Sequence, residues 1–290
     1  METSSITILG GDLRQCYAAE YLKAAGFPVI CYHTPDFPYS AGIQKTDCLK
    51  QALAQSELIL APTPLTRDND TLFQTALEEH SCSLEALWKE LTPRHKFIAS
   101  SLSKDHKKTL KNAGCQIMIF GNEAFFQTTN ALLTAEGLLA EVIRCTPFSL
   151  SAADILLLGY GYCGTAIDKI FLPLCQNIYV IEQDTEKQIK AKQNGLIPVE
   201  KTDFAHVLPK CGIIINTVPG PILKIEQLSQ MPVSCHIFDI ASAPFGFPSE
   251  TTKKCLMPYY RIGGIPGRFS PVTAGETIGR TIERMIQYAL

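Results

Sequence analysis

The chain carries a glycine pattern that is typical of phosphate-binding loops. The pattern is G-x-G-x-x-G, and the residues in it that we predict to contact a cofactor are Gly159, Gly161, Tyr162, Cys163 and Gly164. An apolar, strand-like run (155–158) precedes it, and a helical pattern continues from 165 to 172. In such a loop the first glycine makes the turn, the second lets the backbone approach a pyrophosphate, and the third lets helix and strand pack closely. Free N–H groups at the start of the helix then hold the phosphate charge, so the loop predicts a dinucleotide site.

The acid after the next apolar run has the position of a ribose-binding carboxylate. Glu182 follows the run 178–181 and lies 18 residues beyond Gly164, close to the spacing of about 20 found in dinucleotide-binding folds. It would accept hydrogen bonds from a ribose hydroxyl and repel a 2′-phosphate. Its neighbours Gln183 and Asp184 supply no compensating cation. We therefore expect NAD rather than NADP; the alternative is a surface glutamate in a turn-rich loop.

A second turn that could do chemistry lies near the N-terminus. Gly10, Gly11 and Asp12 follow the apolar run 6–9 and precede a helical pattern. The spacing of three glycines is absent, so this is not a nucleotide fingerprint. The turn could present backbone N–H groups to a small anion, or it could be a tight structural turn.

Strand-like and helix-like runs alternate along the chain, which predicts parallel α/β layers. We predict an α/β fold of two Rossmann-like domains, the C-terminal one a dinucleotide-binding fold, joined by a long connector helix. The predicted bounds are 1–125 for an N-terminal α/β substrate domain, 126–146 for the connector helix and 147–271 for the dinucleotide-binding domain. A last helix, 273–288, is expected to fold back and complete the first domain.

Composition excludes several classes of function. The 290 residues are 46% hydrophobic and carry a formal charge of −2, so we expect a large core, no nucleic-acid partner and no anionic membrane surface as partner. No apolar run approaches the roughly 20 residues that span a bilayer, and the N-terminus lacks the basic start of a secretory signal. The 11 cysteines are scattered, without a CxxC pair. We interpret them as reduced thiols of a cytoplasmic protein, and we expect no metal site.

Five blocks, in order along nearly the whole chain, match motifs of one known family. The block 8–15 is similar to I-G-G-D-x-R-Q, 130–137 to N-S-x-P-T-x-E-G, 215–219 to I-N-T-I-P, 239–242 to D-L-A-S, and 264–275 to G-L-P-G…P-x-T-A-G. Together they resemble the family of dipicolinate synthase A subunits. The resemblance implies two α/β domains related to alanine dehydrogenases and D-2-hydroxyacid dehydrogenases.

The resemblance also implies a reaction, which is the oxidation of a dihydrodipicolinate to pyridine-2,6-dicarboxylate with NAD or NADP as hydride acceptor. In spore-forming organisms that product accumulates in the spore with calcium, so the resemblance further implies a link to sporulation. Family enzymes work with a second, flavoprotein-like B subunit, and we also expect a homo-oligomer. Two alternatives stay open: a related NAD-dependent dehydrogenase of another small amino or hydroxy acid, or a non-catalytic NAD-binding subunit.

Such chemistry assigns roles to further residues. Carboxylates are bound by arginine forks or by rows of N–H and hydroxyl groups, so the predicted substrate-binding residues are Gly11, Asp12, Arg14, Ser100, Ser101 and Ser103. A surface charge for Arg14, and caps or turns for the serines, are the alternatives. Asp12 and Glu136 are weak candidates for the proton acceptor, because aromatisation is strongly downhill and needs no dedicated base. The resemblance adds cofactor contacts at Thr217, Val218, Pro219, Ala241, Ser242, Gly264 and Pro266.

The chain departs from the family pattern in places that bear on function. Leu133 replaces a proline, which could change where the connector helix starts, and Ser101 replaces a glycine. Arg268 and Phe269 replace small apolar residues and could alter the substrate pocket. Family members usually use NADP and often carry a basic residue after the second strand, where this chain has Glu182.

Overall fold

Two parallel β-sheets of six strands each, interleaved with helices, make up the computed structural model. The structure describes residues 4–75, 81–247, 250 and 256–288. The chain splits into two compact units, Met1–Asn130 with Ser270–Leu290, and Ala131–Phe269. The predicted α/β fold class is confirmed.

The first unit contains one sheet and the helices around it. Its strands are β1 (Ile6–Leu9), β2 (Val29–Tyr32), β3 (Gln44–Thr46), β4 (Leu58–Leu60), β5 (Lys96–Ala99) and β6 (Gln116–Ile119). Its helices are α1 (Leu13–Ala24), α2 (Leu49–Ala54), α3 (Leu84–Glu90), α4 (Lys104–Asn112), the start of α5 (Ala124–Cys145), and α11 (Pro271–Tyr288). The strand order is β3-β2-β1-β4-β5-β6.

The second unit repeats this plan. Its strands are β7 (Asp154–Leu158), β8 (Asn177–Ile181), β9 (Ile197–Pro198), β10 (Cys211–Asn216), β11 (His236–Asp239) and β12 (Tyr259–Arg261). Its helices, besides the remainder of α5, are α6 (Tyr162–Phe171), α7 (Thr185–Gln193), α8 (Phe204–Val207), α9 (Ile225–Leu228) and α10 (Ile265–Phe269). The strand order is β12-β11-β10-β7-β8-β9.

Both sheets have the strand order of a dinucleotide-binding fold. Read from the edge, each runs third, second, first, fourth, fifth, sixth in its own unit. The order reverses between β1 and β4 in one sheet and between β7 and β10 in the other. Open α/β sheets bind ligands at this reversal, outside the carboxyl ends of the strands. Each unit therefore has one expected ligand-binding edge.

Burial explains which strands could be recognised in the sequence. The central strands β1 and β4 are buried throughout, as is β7 after its first residue, and each is an apolar run, as strands covered on both faces are. The predicted strand positions agree with the structure to within one or two residues. The sequence analysis missed the edge strand β3, because its residues are polar and largely exposed and it joins the sheet through backbone hydrogen bonds to β2.

The last helix packs against the first one within the first unit. Gly275 of α11 lies so close to α1 that an added Cβ would sit 2.5 Å from the Arg14 carbonyl oxygen and 2.5 Å from Tyr17 Cβ. Four residues on, a Cβ at Gly279 would meet the ring of Tyr21 at 2.7 Å. The two glycines lie on one face of the helix, so α11 approaches α1 with backbone rather than side chains.

The long helix α5 is continuous through Leu133, so the leucine that replaces the family's proline leaves its start at Ala124. Residues 131–145 contribute to the hydrophobic core of the second unit. At Gly137 an added Cβ would lie 2.4 Å from Ile265 Cγ2 and 2.8 Å from Phe269 Cδ2. Phe269 therefore packs over this glycine.

A buried carboxylate joins α5 to α10. The Glu141 side chain is only 3% exposed, and it accepts hydrogen bonds from Arg144 and Arg268, each at 2.5 Å. Its hydrogen bond with Arg144, with help from Arg268, holds the pKa of this carboxyl below its usual value. Arg268, which departs from the family pattern, thus has a partner inside its own unit.

Other global features concern membranes, thiols and metals. Among the described residues, no helix combines the length and apolarity that crossing a membrane requires. The ten described cysteines are free thiols, and Cys255 lies outside the described residues. No group of three or more His, Cys, Asp or Glu side chains within that part of the chain could hold a metal ion.

We predict that Gly275→Ala destabilises the protein by about 1–3 kcal/mol, the usual cost of overpacking a close contact. The new methyl group would overlap the backbone of α1, which has no free space to move into. Urea unfolding measures the change, and Glu276→Ala, an exposed neighbour on the same helix, is the control. Equal stability of Gly275→Ala and wild type would contradict the packing described for α11.

We predict that Glu141→Gln lowers the stability at pH 7 by about 2 kcal/mol, because two charge-assisted hydrogen bonds are weakened. A carboxyl whose pKa is lowered by folding stabilises the protein above its unfolded pKa, near 4.5, and loses this effect as the pH falls through the folded pKa. The difference between variant and wild type should therefore shrink below pH 4.5. Unfolding curves across pH test this, with the exposed Glu136→Gln as control; a difference independent of pH would refute it.

Candidate functional site

The glycine loop between β7 and α6 combines two close contacts with one open position. Gly159 has φ +88°, and an added Cβ would lie 2.3 Å from Val218 Cγ2. At Gly164 a Cβ would lie 2.4 Å from the Gly159 carbonyl oxygen, so strand end and helix start touch. At Gly161 a Cβ would meet nothing within 4 Å. Two glycines are thus needed for packing, while the middle one borders open space.

Helix α6 begins at this open position. Its N-cap is Gly161, which has no side chain to cap the first amides, and Tyr162 and Cys163 form its first turn. The first N–H groups of a helix lack intrahelical partners and lie at the positive end of its dipole. Tyr162 is half-exposed, whereas burial raises the pKa of the Cys163 thiol. The predicted cofactor residues of the loop therefore lie together, with backbone amides available to an anion.

Glu182 contacts the glycine loop directly. Its carboxylate accepts hydrogen bonds from the backbone N–H groups of Tyr160 (2.8 Å), Gln183 (2.7 Å) and Asp184 (3.1 Å). Burial opposes the charge, but these three donors outweigh it and hold the pKa of Glu182 below its usual value. The carboxylate is therefore charged and fixed beside the loop, at the end of β8 where a ribose would lie.

A buried network behind the loop was missed by the sequence analysis. The Tyr160 side chain points inward, 2% exposed, and its hydroxyl donates to the carboxylate of Asp168 on α6. Asn194, just after α7, donates to the same hydroxyl at 2.8 Å. Burial, then the bond to Asp168, raises the pKa of Tyr160. The only signal in the sequence was an aromatic residue inside a glycine motif, which does not specify its partners.

A second missed network lies at the carboxyl ends of β10 and β11. Asn216 and Asp239 are fully buried, and the amide Nδ2 donates to the carboxylate at 2.8 Å. The Tyr259 hydroxyl donates to the same carboxylate at 2.9 Å, and burial raises the pKa of Tyr259 to about 12. The N–H groups of Ala241 and Gly246 complete its ligation, at 3.2 and 3.1 Å. This carboxylate thus fixes the loop after β11.

The predicted cofactor residues after β10 lie against the glycine loop. Thr217 Oγ1 donates to the Leu158 carbonyl at 2.9 Å, and Val218 packs on Gly159. The Val218 N–H donates to Asn216 Oδ1 at 3.2 Å, which shapes the turn, and Pro219 is exposed.

The remaining predicted contacts lie at the same carboxyl edge of the sheet. Ala241 is bound to Asp239 as above, and Ser242 is exposed in the loop after β11. Gly264 has φ +65° and precedes α10, in which Pro266 is buried. These residues follow β11 and β12, the strands beyond β10.

In the first unit, the structure brings Asp12 and Arg14 together. Arg14 is 4% exposed; its Nε and Nη2 donate to the two carboxylate oxygens of Asp12 at 2.9 and 2.8 Å. Asp12 is also the N-cap of α1, with Gln15 completing a capping box. Arg14 is thus not the exposed surface charge of the alternative interpretation, and part of its fork is already used.

The turn at Gly11 is closed by a neighbouring loop. The Gly11 N–H donates to the Phe73 carbonyl at 2.7 Å, and its carbonyl accepts from the Thr75 N–H at 2.8 Å. The Gly10 N–H donates to the Tyr32 carbonyl, and that of Asp12 to the Gln15 side chain. These amides have partners inside the protein, so the turn offers no free row of N–H groups to an anion.

The other candidates differ in their environment. Ser103 is the N-cap of α4, accepting from the His106 N–H at 3.1 Å, as the alternative interpretation held. Ser101 is exposed, and Ser100 is half-buried at the end of β5. Glu136 is exposed on α5, in the second unit rather than with Asp12.

Comparison with known proteins identifies relatives along the chain. Residues 5–120 match the family model that describes the N-terminal domain of the dipicolinate synthase A subunit. The dipicolinate synthase A subunit of Bacillus subtilis (strain 168) is 24% identical over 288 residues, covering 97% of this chain and 95% of that protein.

Solved structures share the fold. The crystal structure of the dipicolinate synthase A subunit from Bacillus halodurans matches with a TM-score of 0.87 at 21% identity and covers 98% of both chains. A structure named L-alanine dehydrogenase matches with a TM-score of 0.64 at 12% identity, covering 96% of this chain and 88% of that one. The resemblance of this chain to the family of dipicolinate synthase A subunits, predicted from its motifs, is therefore confirmed.

Proposed function

We propose that this chain is a nicotinamide-dependent oxidoreductase of the dipicolinate synthase type, which oxidises a dihydrodipicolinate to pyridine-2,6-dicarboxylate. The observation that carries the proposal is the glycine loop, whose amides are open at Gly161 and whose shape is fixed by packing at Gly159 and Gly164. The similarity to a dipicolinate synthase A subunit over 97% of the chain supports the substrate class.

The residues of the second unit fit a dinucleotide. The first turn of α6 would hold the pyrophosphate, because its amides are uncapped and a Cβ at Gly161 meets only open space. Glu182 would hold the adenosine ribose, since its charged carboxylate has lone pairs beyond the three N–H groups that it accepts and would repel a 2′-phosphate. We therefore favour NAD over NADP. When bound, the nicotinamide accepts the hydride that leaves the dihydropyridine ring.

The first unit would bind the substrate carboxylates. Arg14 is the main candidate, because Asp12 uses Nε and Nη2 of its fork and Nη1 lies outside these bonds. Asp12 is poorly placed to take the proton, since Arg14 occupies both its carboxylate oxygens. Aromatisation is strongly downhill, so we assign the proton to no side chain.

The relatives point to an assembly. Each of them is one lettered part of a dipicolinate synthase, which implies at least one further kind of chain in that enzyme. We propose a flavoprotein-like B subunit as the partner of this chain, and a homo-oligomer of the chain itself. We also propose a cytoplasmic location.

We predict that Gly161→Ala folds normally but binds NAD about tenfold more weakly, or worse. Its φ of −85° suits alanine, and the methyl group would extend into the open space that a phosphate would use. Calorimetric titration with NAD and NADP measures the affinity. Gly212→Ala is the matched control, because its Cβ would make only an ordinary contact with Phe148 at 3.5 Å, at the amino end of β10. Unchanged affinity in Gly161→Ala would remove the loop from the cofactor site.

We predict that the purified chain oxidises dihydrodipicolinate with NAD, with or without a candidate partner of the B type, and that Glu182→Ala raises the KM for NAD more than that for NADP. The ribose bond is lost only with NAD, while loss of the bond to the Tyr160 N–H affects both. Absorbance of the product and of the reduced cofactor are followed together, with the exposed Glu186→Ala as control. If neither cofactor is reduced in any combination, the proposed activity is wrong; equal losses with both cofactors would refute the ribose role alone.

A further inference from the structure

Two buried polar atoms of the first unit have no hydrogen-bond partner. They are Gln15 Nε2 and Thr63 Oγ1, and they are the only such side-chain atoms in the part of the chain that the structure describes. Gln15 is fully buried. A buried donor without a partner destabilises a fold, so such atoms in a native protein call for an explanation. Both belong to the same region of the molecule.

That region is the ligand-binding edge of the first sheet. Gln15 lies in the first turn of α1, which follows β1, and Thr63 follows β4; the sheet order reverses between these two strands. Arg14 Nη2 donates to the Thr63 carbonyl at 2.5 Å and so ties the two turns together. The unpartnered atoms thus flank Arg14 at the position where open α/β sheets bind ligands.

Local hydrogen bonds fix the orientation of the glutamine amide. Gln15 Oε1 accepts from the Asp12 N–H at 3.0 Å, as part of the cap of α1. Turning the amide over would place Nε2 against that N–H, donor against donor. The cap therefore directs the Nε2 donor away from the helix, although nothing described in the protein accepts from it.

The chemistry of the group selects the ligand. An amide nitrogen only donates, a threonine hydroxyl can donate, and guanidinium nitrogens only donate. The positive charge of Arg14 is already balanced by Asp12, which leaves hydrogen-bond donors with little net charge. A carboxylate oxygen is the acceptor that gains most from such donors, because charge-assisted hydrogen bonds are stronger than neutral ones.

We propose that Gln15 Nε2 and Thr63 Oγ1, beside Arg14, bind one carboxylate of the substrate. This inference rests on the proposed function for the identity of the dicarboxylate. It assigns two binding residues beyond those that the sequence analysis selected, and it explains why the fold leaves their polar atoms without partners.

The test is the affinity of purified wild type and variants for pyridine-2,6-dicarboxylate, measured by calorimetry with and without NAD. Thr63→Val removes the hydroxyl at nearly constant shape, and Gln15→Glu keeps the oxygen that accepts from Asp12 while removing the donor. We expect each to weaken binding about 10- to 100-fold, as loss of a hydrogen bond to a charged group does. Pyridine-2,6-dicarboxamide, of the same shape but uncharged, should bind wild type weakly.

Thermal stability separates this role from a structural one. Thr63→Val should keep or raise the melting temperature, because it removes a polar atom that has no partner. Thr7→Val is the matched control: Thr7 is equally buried, but its hydroxyl donates to the Ala52 carbonyl at 2.9 Å, so this variant should melt earlier and bind the dicarboxylate normally.

Each outcome decides a separate question. Unchanged affinity in both Thr63→Val and Gln15→Glu, or no binding of the dicarboxylate to wild type, overturns the inference, for example because ordered water fills the site. Turnover of dihydrodipicolinate with unchanged KM in Thr63→Val also overturns it, while the proposed function stands. Dicarboxylate binding that both variants weaken, without turnover by wild type, supports the site and refutes the proposed function.

Discussion

The contact between the Gly159 carbonyl and the Cα of Gly164 is the constraint on which the second unit depends. A separation that leaves no room for a methyl group brings the end of β7 and the start of α6 together. This contact forces the intervening backbone outward at Gly161, where the first amides of the helix have no side-chain cap. Tyr160 from behind and Glu182 from the side hold the loop in this shape. The anion site is thus a consequence of packing, and the rest of the unit preserves it.

The two units share a strand order but use the turn after the first strand in opposite ways. In the second unit the turn is open, and its amides can receive a ligand. In the first unit the loop 73–75 covers Gly10 and Gly11, and the Phe73 carbonyl takes the Gly11 N–H. A backbone that is already paired cannot recognise a ligand. Recognition in the first unit must therefore come from side chains, and Arg14, Gln15 and Thr63 lie at the required edge.

The sequence predicted the features that depend on local pattern. Apolar runs located the buried strands, and glycine spacing located the phosphate loop, because both reflect constraints within a few residues. The pairing of Arg14 with Thr63, the closure over Gly11 and the ligation of Asp239 by Tyr259 join segments far apart in the chain. No spacing rule encodes such contacts. The edge strand β3 was missed for a related reason, since backbone pairing with β2 holds it and its side chains carry no apolar signal.

Neutralised charge is the common feature of both candidate ligand edges. Asp12 balances Arg14 in the first unit, and backbone N–H groups surround Glu182 in the second. An unbalanced buried charge would be costly without its ligand, so each unit stays stable when empty. The cost of this arrangement is weaker long-range attraction, which directed hydrogen-bond donors at short range can offset. For a planar dicarboxylate, donors fixed in direction by a helix cap select shape as well as charge, and a bare cation would select charge alone.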